Sequence, residues 1–182
     1  MGDAFFPKIL ATVRIPVSPW LEVISRDVQF RKGSSAETYY AVAQPDYVIA
    51  LAITPDARLL LVRQYRPAIE QFSLELPAGM LDPNEDPDTA VARELLEETG
   101  YPAQTIELIG KGSTCSSRIS NTTYSFFIQT GERIPNFIEE PGVSVSSISL
   151  SELSALVLSG AFAEQGHIGV IGLAVARGLI EL

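Results

Sequence analysis

The chain has 182 residues, of which 46% are hydrophobic, and its formal net charge at pH 7 is −9. This length and composition predict one principal domain with a sizeable core. The acidic balance argues against nucleic-acid polymers as partners, because such a surface repels their phosphates. The single cysteine, Cys115, excludes an internal disulfide framework and is compatible with a reducing cytoplasm, where we expect the protein to reside. The longest apolar stretch, residues 168–176, is too short to span a bilayer, so we expect no membrane partner.

The first part of the chain predicts β structure. Residues 8–17 form one extended segment, and residues 21–30 and 37–43 are rich in β-branched and aromatic side chains. A short polar turn joins the last two segments, which therefore predict a β-hairpin. We assign residues 1–45 to an N-terminal β unit and residues 46–182 to the main domain.

The main domain contains six segments that predict strands: 47–53, 58–64, 71–76, 105–110, 122–130 and 143–149. The first two are almost continuously apolar, which favours burial on both faces. Two C-terminal helices are predicted at 152–159, with Ser151 as the cap, and at about 169–180. His167, the only histidine, precedes the last helix, where a capping or interface role is favoured over catalysis.

A further helix, predicted at 86–99, concentrates negative charge. Pro87 suits its first turn, and Glu94 and Glu98 are spaced so that both carboxylates emerge on one face. Glu97 lies beside them. Like charges this close repel one another unless a cation sits among them, and hard oxygen ligands suit Mg²⁺ or Mn²⁺. The alternative is a solvated acidic helix end.

The segment 79–101 resembles the signature of the Nudix hydrolases. Five residues separate Gly79 from Glu85, seven more lead to Arg93, and the segment then reads RELLEETGY. The resemblance implies an α/β/α sandwich with a mixed sheet, here preceded by the N-terminal β-hairpin unit. It also implies cleavage of a diphosphate linkage that depends on Mg²⁺ or Mn²⁺, with two or three ions in each site.

The same resemblance implies roles for individual residues. The implied metal ligands are Ala78, through its carbonyl, Glu94, Glu97 and Glu98, of which Glu97 is either a ligand or a close neighbour of the metal. Glu97 and Glu98 would also take part in catalysis. Arg93 would orient the glutamates, and Glu85 would support the loop or hold a further metal.

Two further segments, RQYR at 63–66 and ELPAG at 75–79, resemble those of the ADP-ribose and nucleotide-sugar pyrophosphatases. That resemblance implies a nucleotide substrate, with Arg66 contacting it and Glu75 facing the site. The residues predicted to bind substrate are Arg63, Arg66, Glu75, Gly79, Met80, Arg118 and Trp20. Arg63 could equally form a structural ion pair, which is the less favoured alternative for Arg66, and Trp20, which could stack on a base, could instead anchor the hairpin. Arg118 stands where many of these enzymes carry the glycine of a Ser-Pro-Gly motif, and it adds a possible phosphate contact.

The turn at 139–142 holds two adjacent carboxylates. Related enzymes often place a catalytic glutamate on a mobile loop at this distance, so we predict that Glu140, or else Glu139, acts as the base on the attacking water or holds a further metal. The alternative is two solvated loop carboxylates. In the same branch of the family, the N-terminal β unit exchanges with a partner subunit, which implies a homodimer.

The expected reaction is hydrolysis of ADP-ribose or a related nucleoside diphosphate sugar to a nucleoside monophosphate and a sugar phosphate. Two alternatives stay open. One is a Nudix activity on nucleoside triphosphates or RNA 5′ ends, and the other is a non-catalytic nucleotide-binding module on the same fold.

Overall fold

The computed structural model of the protein describes residues 7–182, which fall into two compact units. The first unit holds the residues up to Pro45 together with Ser113–Thr122, and the second holds Asp46–Gly112 and Thr123–Leu182. The first unit therefore includes a segment that the sequence prediction left in the main domain. Residues 1–6 of the predicted N-terminal unit lie outside the described part.

The first unit is built on a three-stranded antiparallel sheet. Its strands are β1 (Lys8–Ser18), β2 (Leu21–Gln29) and β3 (Glu37–Ala43), in the order β1-β2-β3. Strands β2 and β3 form the predicted hairpin, in which Val23 pairs with Val42. The segment that joins from later in the chain is attached to β3, because the Val42 N–H donates to the Arg118 carbonyl at 2.7 Å.

The second unit contains a mixed seven-stranded sheet with the main order β10-β5-β4-β9-β8. The strands are β4 (Tyr47–Ile53), β5 (Leu59–Arg66), β6 (Gln71–Glu75), β7 (Ala78–Met80), β8 (Ala103–Gly112), β9 (Thr123–Thr130) and β10 (Val143–Ile148). Strand β4 runs parallel to β9 and antiparallel to β5 and β7. The short strand β7, which sequence analysis did not predict, thus places the start of the acidic signature directly beside β4.

Helices cover both faces of this sheet. Helix α1 (Pro87–Thr99) packs on one face, while α2 (Leu150–Ser159) and α3 (Gln165–Ala176) pack on the other. Strand β4 alternates between the two cores, since Ala50 packs with α1 and Leu51 packs with the C-terminal helices. Burial of β4 on both faces is confirmed, and so is the predicted α/β/α sandwich.

The two C-terminal helices differ from the prediction at their ends. Helix α2 is capped by Ser149 and not by Ser151, because Glu152 then stands three residues after the cap and completes a capping box. Helix α3 begins four residues earlier than predicted, so that His167 lies inside its first turn. It ends before Gly178, whose φ of 68° stops the helix. None of the helices within residues 7–182 is both long and apolar enough to cross a bilayer.

Candidate active site

A single guanidinium organises the acidic signature. Arg93 on α1 donates from Nε and Nη2 to the two oxygens of Glu85, at 3.0 and 2.9 Å. Its Nη1 donates to Glu94 at 2.9 Å and to Glu97 at 3.1 Å, and Nη2 also reaches the Met80 carbonyl at 3.1 Å. These bonds raise the pKa of Arg93, and the hydrogen bonds from Arg93 lower the pKa of Glu85. Arg93 therefore fastens the signature loop to the helix and orients two of its carboxylates.

Glu98 is a partly buried acid that joins the helix of the signature to the strand before it. Its Oε2 accepts a hydrogen bond from the Ala78 N–H at 3.0 Å, which joins α1 to β7. Burial raises the pKa of Glu98 to about 8, and the neighbouring charge of Glu94 adds to the rise. Burial likewise raises the pKa of Glu94. Two carboxylates in one poorly solvated place destabilise each other when both are ionised, and a bound cation would remove that cost.

The space beside Glu94 exists because residue 79 has no side chain. A Cβ on Gly79 would lie 2.0 Å from the Glu94 carboxyl carbon, far inside van der Waals contact. The backbone of β7 and the carboxylate of α1 can approach this closely only with glycine at that position. Gly79 thus lets the donor groups of strand and helix meet.

The donor set fits a divalent cation in its chemistry. Partly buried carboxylates at Glu94 and Glu98, together with the backbone carbonyl of Ala78, whose N–H bonds Glu98, are the hard oxygen donors that Mg²⁺ and Mn²⁺ prefer. Within residues 7–182, no three acidic, histidine or cysteine side chains are grouped closely enough to hold a metal by themselves. Glu97 is 56% exposed and paired with Arg93, so it would join the set only if that ion pair opened.

A second charged pair lies beside these carboxylates. Arg66, at the end of β5, donates from Nε and Nη2 to both oxygens of Glu75, at 2.8 and 2.5 Å. Burial opposes ionisation of Glu75, but the bonds from Arg66 outweigh it and lower the pKa of Glu75. The positive charge of Arg66 also acts on Glu98, as does the negative charge of Glu75. The site therefore combines an arginine with the acidic cluster.

Tyr47 completes this part of the site and was not among the predicted residues. It opens β4 and interacts with Arg66, Glu75 and Glu98, and burial raises its pKa. The sequence feature that could have indicated Tyr47 is a tyrosine at the first position of an otherwise aliphatic strand.

The structure does not bring Arg63 to Arg66. The two residues are three positions apart on β5 and so lie on opposite faces of the strand. The Arg63 guanidinium stacks over Phe72 at 3.8 Å from the ring centroid, and Tyr65 meets the same ring edge-on. Arg63 thus makes a cation–π contact and not the ion pair that sequence analysis offered as its structural alternative.

The two loop glutamates have different surroundings. Glu139 accepts a hydrogen bond from Arg133 at 2.8 Å, and Arg133 also donates to the Thr99 carbonyl at the end of α1. The Phe137 ring packs against the capping glycine of the same helix. Glu140 is exposed. The loop is thus anchored to α1 in a way that engages the carboxylate of Glu139.

The only histidine of the chain is buried close to the pair formed by Arg66 and Glu75. His167 is 3% exposed, and its Nδ1 accepts a hydrogen bond from the Leu76 N–H at 2.9 Å. Burial lowers the pKa of His167 to about 4, so the imidazole is neutral at pH 7.

Comparison with known proteins agrees with this geometry. The family model described as NUDIX domain matches residues 43–164. The chain belongs to the Nudix family of hydrolases. As a Nudix hydrolase it joins a family that generally uses divalent metal ions. The family predicted from the signature is thereby confirmed.

Individual relatives of this Nudix hydrolase differ in how much of their length it matches. It is 28% identical to an ADP-ribose pyrophosphatase of Bacillus subtilis (strain 168) over 155 residues, which is 84% of this chain and 83% of the relative. It is 35% identical to a methanol dehydrogenase activator of Bacillus methanolicus over 107 residues, covering 59% of this chain and 57% of the relative. A crystal structure of an ADP compounds hydrolase has a TM-score of 0.78 at 24% identity, covering 99% of this chain and all of that one, which shows the shared fold.

Two predicted substrate-binding residues of the Nudix chain belong to the first structural unit. Trp20 is 55% exposed and lines a pocket of about 270 Å³ with Arg14, Glu22 and neighbouring residues. Arg14 and Glu22 form an ion pair across that pocket's wall at 2.6 Å. The Arg118 side chain is exposed, while its backbone carbonyl is bonded to β3. Base stacking by Trp20 and phosphate contact by Arg118 stay predictions.

Proposed function

We propose that this protein hydrolyses the diphosphate linkage of ADP-ribose or a related nucleoside diphosphate sugar, and releases a nucleoside monophosphate and a sugar phosphate. The observation that carries the proposal is the combination of partly buried carboxylates at Glu94 and Glu98 with the arginine Arg66 in one site. Such a site can hold cations on one side of a diphosphate and contact its oxygens from the other. The name of the Bacillus subtilis relative supports the choice of substrate.

Divalent cations, Mg²⁺ or Mn²⁺, would be held by Glu94, Glu98 and the Ala78 carbonyl, with Glu97 available for a second or third ion. When bound, they would neutralise the diphosphate and lower the pKa of a bound water. The protein supplies the ligands in a prepared arrangement, because Arg93 orients Glu94 and the Ala78 N–H holds Glu98. Little reorganisation is then needed when substrate arrives.

Arg66 is the proposed contact to the diphosphate. Glu75 accepts from its Nε and Nη2, and these two bonds, with a further hydrogen bond between Arg66 and Tyr47, fix the plane of the guanidinium beside the carboxylates. Glu75 therefore acts through Arg66, and its own position is deep in the protein. Glu140 is the proposed proton acceptor, because Arg133 engages the alternative residue, Glu139.

A panel assay in Mg²⁺ tests the function directly. ADP-ribose, sugar nucleotides, dinucleoside polyphosphates and nucleoside triphosphates are incubated separately, and products are identified by chromatography. We expect a nucleoside monophosphate and a sugar phosphate from the first two classes. Activity on triphosphates alone would instead support the second Nudix activity. Inactivity on the whole panel would support a binding module.

We also propose that the protein is a homodimer through the N-terminal β unit. Val13 and Ile15 of β1 and Tyr40 of β3 lie on one face of the three-stranded sheet, and each is at least half exposed. A second copy could cover this apolar face. Sedimentation velocity should show a dimer for the parent and a monomer for Ile15→Glu. Thr12→Glu, on the opposite face of β1, is the matched control, and a monomeric parent would refute the proposal.

A further inference from the structure

We infer that His167 is a positioning residue for the proposed active site, acting through the backbone of Leu76. The inference rests on the proposed function, because it concerns the same site. It assigns the C-terminal helix α3 a part in aligning that site, beyond its packing on the sheet.

The contact is specific and enclosed. His167 lies in the first turn of α3 and Leu76 follows β6, 91 residues earlier in the chain. The Leu76 N–H donates to Nδ1 at 2.9 Å, and both residues are buried. Since Nδ1 accepts this bond, the ring carries its proton on Nε2, and the geometry fixes one tautomer.

Leu76 lies between two residues that bond to side chains of the proposed site. The residue before it, Glu75, holds Arg66 through two hydrogen bonds. Two residues after it, the Ala78 N–H holds the buried carboxylate of Glu98. The hydrogen bond at Leu76 therefore ties α3 to the segment that carries both the partner of the arginine and the partner of the acid, while the Pro77 carbonyl ties the same segment to β4.

The groups that face His167 fit this role. The charges that act on it are those of Glu75, which the segment carries, and of Arg66, which Glu75 holds. A leucine side chain at 167 would fill a similar volume but would leave the Leu76 N–H buried without an acceptor. The segment would then shift to find one, and displacements of about 1 Å at such sites can reduce turnover about 100-fold.

The experiment compares three variants, each assayed well below its melting temperature. His167→Leu removes the acceptor, and His167→Asn can place an amide oxygen near the position of Nδ1. Val170→Ala is the control, because Val170 is a buried residue about one turn further along α3 that packs in the hydrophobic core. The readouts are kcat and KM for ADP-ribose in Mg²⁺, and Mn²⁺ binding without substrate by electron paramagnetic resonance.

We expect His167→Leu to lose about tenfold or more in both kcat and Mn²⁺ affinity. His167→Asn should recover most of both, and Val170→Ala should keep both within about twofold although its melting temperature falls. The inference is overturned if His167→Leu keeps both quantities, or if it loses no more than a Val170→Ala protein of equal stability. Should His167→Leu fail to fold, His167→Asn is compared with His167→Gln, whose amide oxygen reaches the position of Nε2 and not that of Nδ1. Equal losses of kcat and Mn²⁺ affinity in these two variants would overturn the inference. If the unsubstituted protein is inactive, the proposed function alone is refuted, because the Mn²⁺ measurement still tests the role of His167.

Discussion

Replacing Glu98 by glutamine should stabilise the metal-free protein and strongly reduce its activity. Glutamine keeps an oxygen that can accept the Ala78 N–H, and it removes a carboxyl group whose ionisation this poorly solvated position disfavours. The same change removes a charged ligand from the proposed metal site, so kcat should fall by about 100-fold or more. A stabilising substitution that inactivates the enzyme is the expected sign of a residue kept for function.

The size of the stabilisation follows from the pKa of Glu98. Its pKa is about 8 in the folded protein and 4.5 as the reference value for the unfolded chain. The folded state therefore holds a proton that the unfolded state releases in this interval, and the free energy of unfolding falls as the pH rises from 4.5 to about 8. The carboxyl costs about 3 kcal/mol at pH 7 and about 1 kcal/mol at pH 5. Glutamine avoids this cost, which corresponds to a rise in melting temperature of roughly 10 °C at pH 7.

The assay is calorimetry in EDTA at pH 5 and pH 7, followed by turnover in Mg²⁺. Glu97→Gln is the matched control, because Glu97 is 56% exposed and its loss should change stability by about 0.5 kcal/mol or less. In addition, Mg²⁺ should raise the melting temperature of the parent more than that of Glu98→Gln. A glutamine variant that is less stable than the parent at pH 7, or one whose gain is the same at both pH values, would refute the reasoning.

Three other substitutions test the remaining contacts. Gly79→Ala places a Cβ 2.0 Å from the carboxyl carbon of Glu94 and should reduce kcat about tenfold or more, with little change in oligomeric state by sedimentation. Arg93→Lys keeps the charge but loses the planar guanidinium that binds three glutamates, so calorimetry should show a loss of about 2 kcal/mol in the free energy of unfolding. An unchanged melting temperature would contradict the conclusion that Arg93 fastens the signature loop to the helix. Arg66→Lys should raise KM for ADP-ribose about tenfold in steady-state kinetics, whereas an unchanged KM would remove Arg66 from the substrate contacts.

Local patterns predicted much of the fold. The two buried strands, the β2–β3 hairpin and helix α1 were within reach, because each depends on neighbouring residues whose spacing or turn chemistry is visible in the chain. The predicted ends of the two C-terminal helices differ from those in the structure. Ser149 and Ser151 are both acceptable caps by composition, and only the position of Glu152 three residues after Ser149 decides between them.

Long-range contacts account for what was missed at the site. Tyr47 joins the site because β4 lies beside β7, a strand of three residues that has no periodic pattern to reveal it. Arg63 is separated from Arg66 for a local reason instead, because side chains alternate along β5 and residues three positions apart lie on opposite faces.

By itself the sequence determined that Glu94 and Glu98 share a helix face and that Arg93 precedes them, because the α-helix repeat fixes these relations within a few residues. Only the tertiary structure decided that Glu98 is buried against the Ala78 N–H, 20 positions away, and that His167 bonds to Leu76 from the far end of the chain. Burial and the pairing of distant backbone groups are properties of the whole packed chain, since they depend on which segments exclude water from one another.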